Sequence, residues 1–349
     1  MIFPIIDLHE DISLYYFLGG AFQKFPTANF STDLKLRHSD IPKFRKGGVK
    51  IVFSAIGSFV PTNSQFWTGK LKTGYGTPVP PFHARAPTLL AFHHLGIYYE
   101  LERKHRQQVK ILRSESDVTN SMSNVKNKIG FLISMEGAEP LEDVDDLRLF
   151  FQLGVRSVGF TWNIDNRYSS TCMSKKDYGL TGEGERLVNL CNELGIIIDI
   201  SHASKKASLE MLQLSDSPLI ASHANVGSVW KHSRNLDDEQ LGALKENKGV
   251  IGVSLINATI SKRPSVKSLA DHVVYLKDKF GIDIIAIGTD YFGLLNSDEP
   301  LGLENISKFA NLWAELNERG FSKSDIQKIS FHNARRVIME NAKKWNSPV

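Results

Sequence analysis

Eight short runs of apolar, largely β-branched residues recur along the chain, each bounded by turn residues and most followed by a segment of helical periodicity. They are "PIIDLH" (4–9), "VKIVFSAI" (49–56), "IGFLISM" (129–135), "VRSVGF" (155–160), "GIIIDI" (195–200), "PLIASH" (218–223), "GVIGVSL" (249–255) and "DIIAIGT" (283–289). Strands alternating with helices in this way build a parallel sheet from repeated βα units. Eight of them predict an α/β fold, a (β/α)8 TIM barrel. Glycine stands before several strands, in "KGGVKIVF", "LGVRSVGF", "LGIIIDI", "NKGVIGVSL" and "FGIDIIAIGT", as expected where a helix ends at a glycine C-cap. Helices are expected over 82–106, 141–153, 181–194, 204–214, 237–246, 268–280, 303–318 and 323–341, with Ser204, Asp237 and Ser322 as N-caps.

A chain of 349 residues suits one barrel, so residues 1–349 are read as a single catalytic domain. A long insertion, at about 57–128, follows the second strand; its Gly-, Pro- and aromatic-rich beginning suits a lid or an oligomer contact. The histidines of its helix, His93, His94 and His105, have no carboxylate at ligand spacing and are read as surface or packing residues.

Several function classes are disfavoured by composition. The formal charge of +4 is small for this length, and no long basic run marks a nucleic-acid or polybasic membrane surface. A small-molecule partner is expected. The opening "MIFPIIDLHEDI" lacks a basic n-region, and no apolar run reaches membrane-spanning length, which predicts a cytoplasmic protein. The two cysteines, Cys172 and Cys191, are too far apart for a CxxC pair, so any metal must be held by histidine and carboxylate. A homodimer, the commonest symmetric assembly, is compatible with the chain.

Active sites of such barrels lie at the C-terminal ends of the strands, so the residues standing there matter most. In "IIDLHEDI", Asp7, His9 and Asp11 are two apart and share one strand face. His9 and Asp11 reach the rim from the first strand, Glu136 from "SMEGAEP", His202 from "DISHAS", His223 from "ASHAN" and Asp290 from "GTDYFG". Trp162, Asn163 and Asn257 follow other strands. Singly, each has an ordinary alternative, such as a satisfied buried histidine or a helix cap. Together, carboxylates crowded with imidazoles would repel one another unless cations were bound. Ligands of this kind without thiolate suit zinc, although manganese, cobalt or iron could occupy them. Five ligands over-supply one ion, and Glu136 is the natural bridge between two. Asp7, a step below the ligands, is read as a support for one of them, while Asp199 is equally an orienting group or ordinary strand packing.

With these residues in hand, the sequence resembles the membrane dipeptidase (renal dipeptidase-like) family of zinc peptidases over nearly its whole length. The likeness runs from "DLHEDI" through "KFRKGGVKIVFSAI", "SMEGAE", "GVRSVGFTWN", "YGLTGEGERLVNLCNELGIIIDISHAS", "PLIASHANVGSVWKHSRNLDDEQLGALKENKGVIGVSL" and "GIDIIAIGTDYFG" to "LNERGFSKSDIQKISFHNARRVI". The resemblance implies two Zn2+ per subunit, one on His9 and Asp11, the other on His202 and His223, with Glu136 bridging. It implies that Asp290 handles the protons of the bridging water and that Arg234 in "KHSRNLDD" grips the substrate. Trp162 and Asn163 are expected near the substrate. In mammalian relatives "LTHN" stands where this chain has "FTWN", so Trp162 replaces a histidine and implies a changed pocket; tryptophan donates one N–H but accepts no proton. His232, close to Arg234, is read either as a substrate contact or as a loop residue.

The expected activity is therefore hydrolysis of dipeptides by a hydroxide shared between two zincs, with a C-terminal D-residue tolerated as the resemblance suggests. Other binuclear amidohydrolase reactions on the same barrel, namely lactonase, cyclic amidase or β-lactam hydrolysis, are the nearest rivals. They typically carry H-x-H on the first strand, where this chain has Asp11 as the second group. A non-catalytic metal-binding relative would be expected to lose Asp290 or Arg234, and both are present. A glycosidase reading of Glu136 with Asp290 leaves three rim histidines unexplained.

Overall fold

The computed structural model describes residues 2–17, 28–57, 87–123, 128–294 and 299–345. Its strands are β1 (Ile5–Glu10), β2 (Val49–Gly57), β3 (Val109–Ile111), β4 (Ile129–Glu136), β5 (Val155–Gly159), β6 (Ile197–Asp199), β7 (Ile220–Ala224), β8 (Val250–Val253) and β9 (Ile285–Ile287). Every pairing is parallel, in the order β2-β1-β9-β8-β7-β6-β5-β4-β3, and an additional β2–β4 pairing closes the ring. Eight strands thus form a (β/α)8 barrel, each at a place where an apolar run stands in the sequence. Helices cover the strands, so both faces of each strand are dry and the runs read as continuous rather than alternating apolar patterns. β1 and β4 are buried along their whole length.

The ninth strand, β3, was not expected. It pairs with the first residues of β4, from Val109↔Ile129 to Ile111↔Phe131, while β5 pairs with the last ones, from Ile133↔Val155 to Glu136↔Gly159. The connection after β2 is therefore not one loop: its described half holds a helix at Pro87–Lys104, β3 and a helix at Glu115–Met122. Its beginning at 58–86, where a lid or oligomer contact was expected, lies outside the described residues. Tyr98 ties the first of these helices to the barrel, its hydroxyl donating to the Ala55 carbonyl in β2 at 2.8 Å. His94 is buried, with Nδ1 2.7 Å from Ser13 Oγ, and burial pushes its pKa down to about 4; it is a packing residue, as expected.

Ser204, Asp237 and Ser322 each cap a helix, accepting from the backbone N–H groups of Ala207, Gln240 and Asp325. The last expected helix is interrupted, with a π-helical turn at Lys328–His332 between Lys323–Gln327 and Asn333–Ala342. Short helices at Ile12–Phe17 and Ile41–Gly47 were not foreseen. The glycine rule holds before β2, β5, β6 and β9, where Gly48, Gly154, Gly195 and Gly281 take φ of 84°, 98°, 68° and 93°. It fails before β8. There the left-handed residue is Lys248, at φ 63°, and Gly249 is needed for space instead, since a Cβ on it would lie 2.6 Å from the Leu219 carbonyl oxygen.

Candidate metal centre

The polar residues expected at the rim stand at the C-terminal ends of five strands. His9 lies in β1 and Asp11 just beyond it; Glu136 ends β4, His202 follows β6, His223 lies in β7 and Asp290 follows β9. All six are at most 6% exposed, so their charges are removed from water. His202 and Asp290 have left-handed backbones, at φ 67° and 61°. Conformations this costly for non-glycine residues persist where surrounding bonds fix them. For Asp290 one such bond is its own N–H donating to the His9 carbonyl at 3.0 Å.

Their side chains converge. Glu136 Oε1 lies 3.0 Å from His202 Nε2, 3.4 Å from His223 Nε2 and 3.6 Å from His9 Nε2. His9 Nε2 is also 3.4 Å from Asp11 Oδ2 and 3.7 Å from Asp290 Oδ1. The ligand-type atoms fall into three groupings, each spanning no more than 4.8 Å: His9, Asp11 and Glu136; Glu136, His202 and His223; His9, His223 and Asp290. The first two share Glu136.

Bonds on the far side of each imidazole decide which nitrogen faces the cluster. His202 Nδ1 is 2.9 Å from the amide oxygen of Asn163, an acceptor, so Nδ1 carries the hydrogen and Nε2 is a bare lone pair. His223 Nδ1 is 2.7 Å from Ser222 Oγ, whose own hydrogen goes to Asp199 Oδ2; Nδ1 again donates, and Nε2 is bare. The two Nε2 atoms are only 2.9 Å apart. Two lone pairs facing each other across a carboxylate oxygen repel, and a cation between them turns that repulsion into ligation. Both nitrogens of His9 and Oδ1 of Asp11 are buried with no hydrogen-bond partner, which is costly unless an ion uses them. Gly293 leaves room at this point, because a Cβ on it would collide with the carboxylates of Asp11 and Asp290. The donor set, imidazole and carboxylate without thiolate, fits divalent metal cations.

Electrostatics agree. Burial lifts the carboxyl of Glu136 well above its usual range, that of Asp11 to about 7 and that of Asp290 to about 8. Burial, with help from the nearby Arg234 guanidinium, holds His202 and His223 well below the usual imidazole range. Without cations the carboxyls take up protons more readily, while His202 and His223 stay neutral.

Asp7 supports the rim through the backbone: its Oδ1 accepts from the N–H of Thr289 (2.9 Å) and of His9 (3.2 Å), and its Oδ2 from Thr289 Oγ1 (2.7 Å). Asp199 is an orienting group, accepting from the backbone of Ser201 and Ser222 at 2.9 Å each as well as from the Ser222 hydroxyl. Asn163, expected to touch substrate, is fully buried against His202 and serves instead as its support. Trp162 is half-buried with its ring centroid 6.3 Å from that of His202, at the edge of the cluster. Arg234 is 2% exposed and donates through Nη2 to the His223 carbonyl at 3.3 Å. It lines a cavity of about 280 Å³ with His202, Cys172 and His232. His232 accepts from the Arg234 N–H at 3.1 Å, which makes it a brace for that loop. Asn257 opens the short helix Asn257–Ile260.

Ser222 and Glu10 went unnoticed in the sequence. Ser222 immediately precedes His223, and neighbours in a regular strand face opposite ways. The β7–β8 register shifts between Ala221 and Ala224, so Ser222 and His223 meet through an irregularity that no periodicity signals. Glu10 lies within a similar shift between Asp7 and Glu10 and accepts from Ser39 Oγ, fully buried.

These shifts set the expected response to metal and pH. In the metal-free fold Asp11 and Asp290 hold protons up to about pH 7 and 8, whereas the unfolded chain releases them near its ordinary value of 3.8. Folded protein binds more protons across that window, so metal-free stability falls as pH rises through it. A cation displaces those protons, and the rise in Tm on adding zinc should be several degrees larger at pH 8 than at pH 5.5. Equal increments at both pH values would contradict the arrangement.

Comparison with known proteins agrees with this geometry. The family model "Membrane dipeptidase (Peptidase family M19)" matches residues 2–348. Dipeptidase verJ of Clonostachys rogersoniana is 28% identical over 348 residues, covering 96% of this chain and 83% of that protein. A metallo peptidase from Rhodobacter sphaeroides, crystallised with a phosphinate mimic of the dipeptide L-Ala-D-Ala, superposes with a TM-score of 0.82 at 26% identity, covering 98% of this chain and all of that one. A second solved structure, the M19 metallo peptidase dipeptidase AC, gives 0.81 at 26% identity over 99% of this chain and all of its own. A closed parallel barrel, a buried histidine and carboxylate cluster at its rim, and a family match along the whole chain lead to one conclusion: this chain belongs to the membrane dipeptidase family, the metal-dependent dipeptidases of peptidase family M19.

Proposed function

We propose that the chain is a zinc-dependent dipeptidase using two cations, with Glu136 shared between them, His9 and Asp11 completing one site and His202 and His223 the other. The observation carrying this reading is the pair of bare imidazole nitrogens 2.9 Å apart beside the Glu136 carboxylate. When bound, two zinc ions would lower the pKa of a shared water and polarise the scissile carbonyl.

The chain's own residues supply the rest. Asp290 takes the water's proton and passes it to the leaving amine. Its Oδ1 lies 3.7 Å from His9 Nε2, and its main chain is tied to β1, so the carboxylate is aimed at the cluster. Cations would draw its pKa down from about 8, restoring the carboxylate form that accepts a proton. Arg234, buried beside His223, holds the substrate's C-terminal carboxylate through its planar fork. Trp162 forms one wall of the substrate pocket and, lacking an acceptor nitrogen, contributes shape and a single N–H. The L-Ala-D-Ala mimic in the Rhodobacter sphaeroides structure supports including C-terminal D-residues among the substrates. Cytoplasmic residence belongs to the same reading, supported by the two free cysteines Cys172 and Cys191; no described helix is long and apolar enough to cross a membrane.

Hydrolysis of a dipeptide panel, with matched C-terminal amides and a chelated control, tests the reading. Cleavage should need both metal and the free carboxylate; metal-loaded protein that cleaves no dipeptide refutes it. Asp290→Asn should keep its zinc and lose about 10²–10⁴-fold in kcat, and a near-normal kcat would remove Asp290 from the chemistry. Arg234→Lys should weaken carboxylate substrates at least about tenfold more than their amides, whereas equal losses on both would contradict its role.

A further inference from the structure

At the opposite end of the barrel, around the N-terminal ends of β8 and β9, lies a second cavity, of about 580 Å³. Phe280 and Ile284 give it an apolar floor, and Lys245, Lys248, Lys328 and Arg336 line it with positive charge. Asp283 is the one carboxylate in the lining, and Lys328 Nζ already engages its Oδ1 at 2.8 Å. Among the described residues, no carboxylate pairs with Lys245 or Lys248. The excess charge is therefore open to an incoming anion.

Two irregularities of the backbone meet here. Lys248 holds the left-handed position that glycine fills before β2, β5, β6 and β9. A lysine there is strained where glycine would not be, so the side chain is retained against a conformational cost. Complementing the end of the preceding helix does not account for it, because Lys245 already stands in the last turn. The Lys248 carbonyl accepts from Arg336 Nη1, while Nη2 donates to the Asp283 carbonyl at 3.1 Å. Both ends of the π-helical turn, Lys328 and His332, line the cavity, and such turns often mark functional positions.

The donors define the ligand. Arg336 spends its fork on two carbonyls, which removes the planar, two-point recognition that favours a carboxylate. What remains is lysine ammonium, a point charge suited to phosphate, beside an apolar lining that includes the aromatic side chain of Phe280. The volume lies in the usual range for small-molecule sites. We propose that this cavity binds a phosphate monoester carried on a flat ring, a ligand of mononucleotide size, at a site separate from the metal centre.

Calorimetric titration of the full chain at low salt with AMP, adenosine and inorganic phosphate tests this, in both zinc-loaded and metal-free protein. AMP should bind at one site in both metal states, with adenosine and inorganic phosphate each at least about tenfold weaker. Lys248→Gly should raise Tm slightly by relieving the left-handed residue, yet weaken AMP about tenfold and leave dipeptide hydrolysis unchanged. Because that variant is expected to fold better, lost binding cannot be ascribed to unfolding. Absence of saturable AMP binding overturns the proposal. So does binding that requires zinc, which would place the phosphate at the metal centre, and so does equal affinity in Lys248→Gly.

Discussion

Two imidazole nitrogens face each other 2.9 Å apart with a buried carboxylate oxygen beside both, and each imidazole has its only hydrogen committed elsewhere. Few arrangements are less favourable in a dry interior, and few are more suitable for a cation. Much of the surrounding structure serves to hold it. Asn163 fixes the ring of His202, and the Asp199–Ser222 pair fixes that of His223. Asp7 ties the β1 rim to the segment after β9, so that His9 and Asp290 approach one another. Such outer bonds orient ligands and set which nitrogen is basic.

The barrel makes this crowding feasible. A closed parallel sheet directs the C-terminal ends of its strands toward one rim, so residues as distant in sequence as His9 and Asp290 become neighbours. The energy spent burying carboxyls and histidines there is offset by a core of Ile, Val, Leu and Phe along the strands. Stability and function are separated along the five strands that carry the cluster: apolar for most of their length, polar or charged at their ends. The basic cavity at the other end repeats this division on a smaller scale, with an apolar floor and a charged rim.

Much of this was legible in the sequence because two periodic signals were strong. The apolar runs located every barrel strand, and their last residues together with the positions just past them include all six cluster residues. What escaped depended on departures from period. Ser222 reaches His223 only through a register shift, Glu10 is buried within another, and Lys248 takes a backbone form usually reserved for glycine. β3, three residues long, is too short to stand out from the connection that holds it. Asn163 was noticed but assigned to substrate, since a sequence shows where a side chain stands without showing which way it points.

The proposed hydrolysis depends on Glu136 being shared by two cations. An anomalous-difference map collected at the zinc absorption edge, from crystals of zinc-loaded protein, tests it most directly. Two peaks per chain are expected with the Glu136 carboxylate between them, one beside His9 and Asp11 and the other beside His202 and His223. A single peak, or metal that leaves Glu136 uncoordinated, would contradict it.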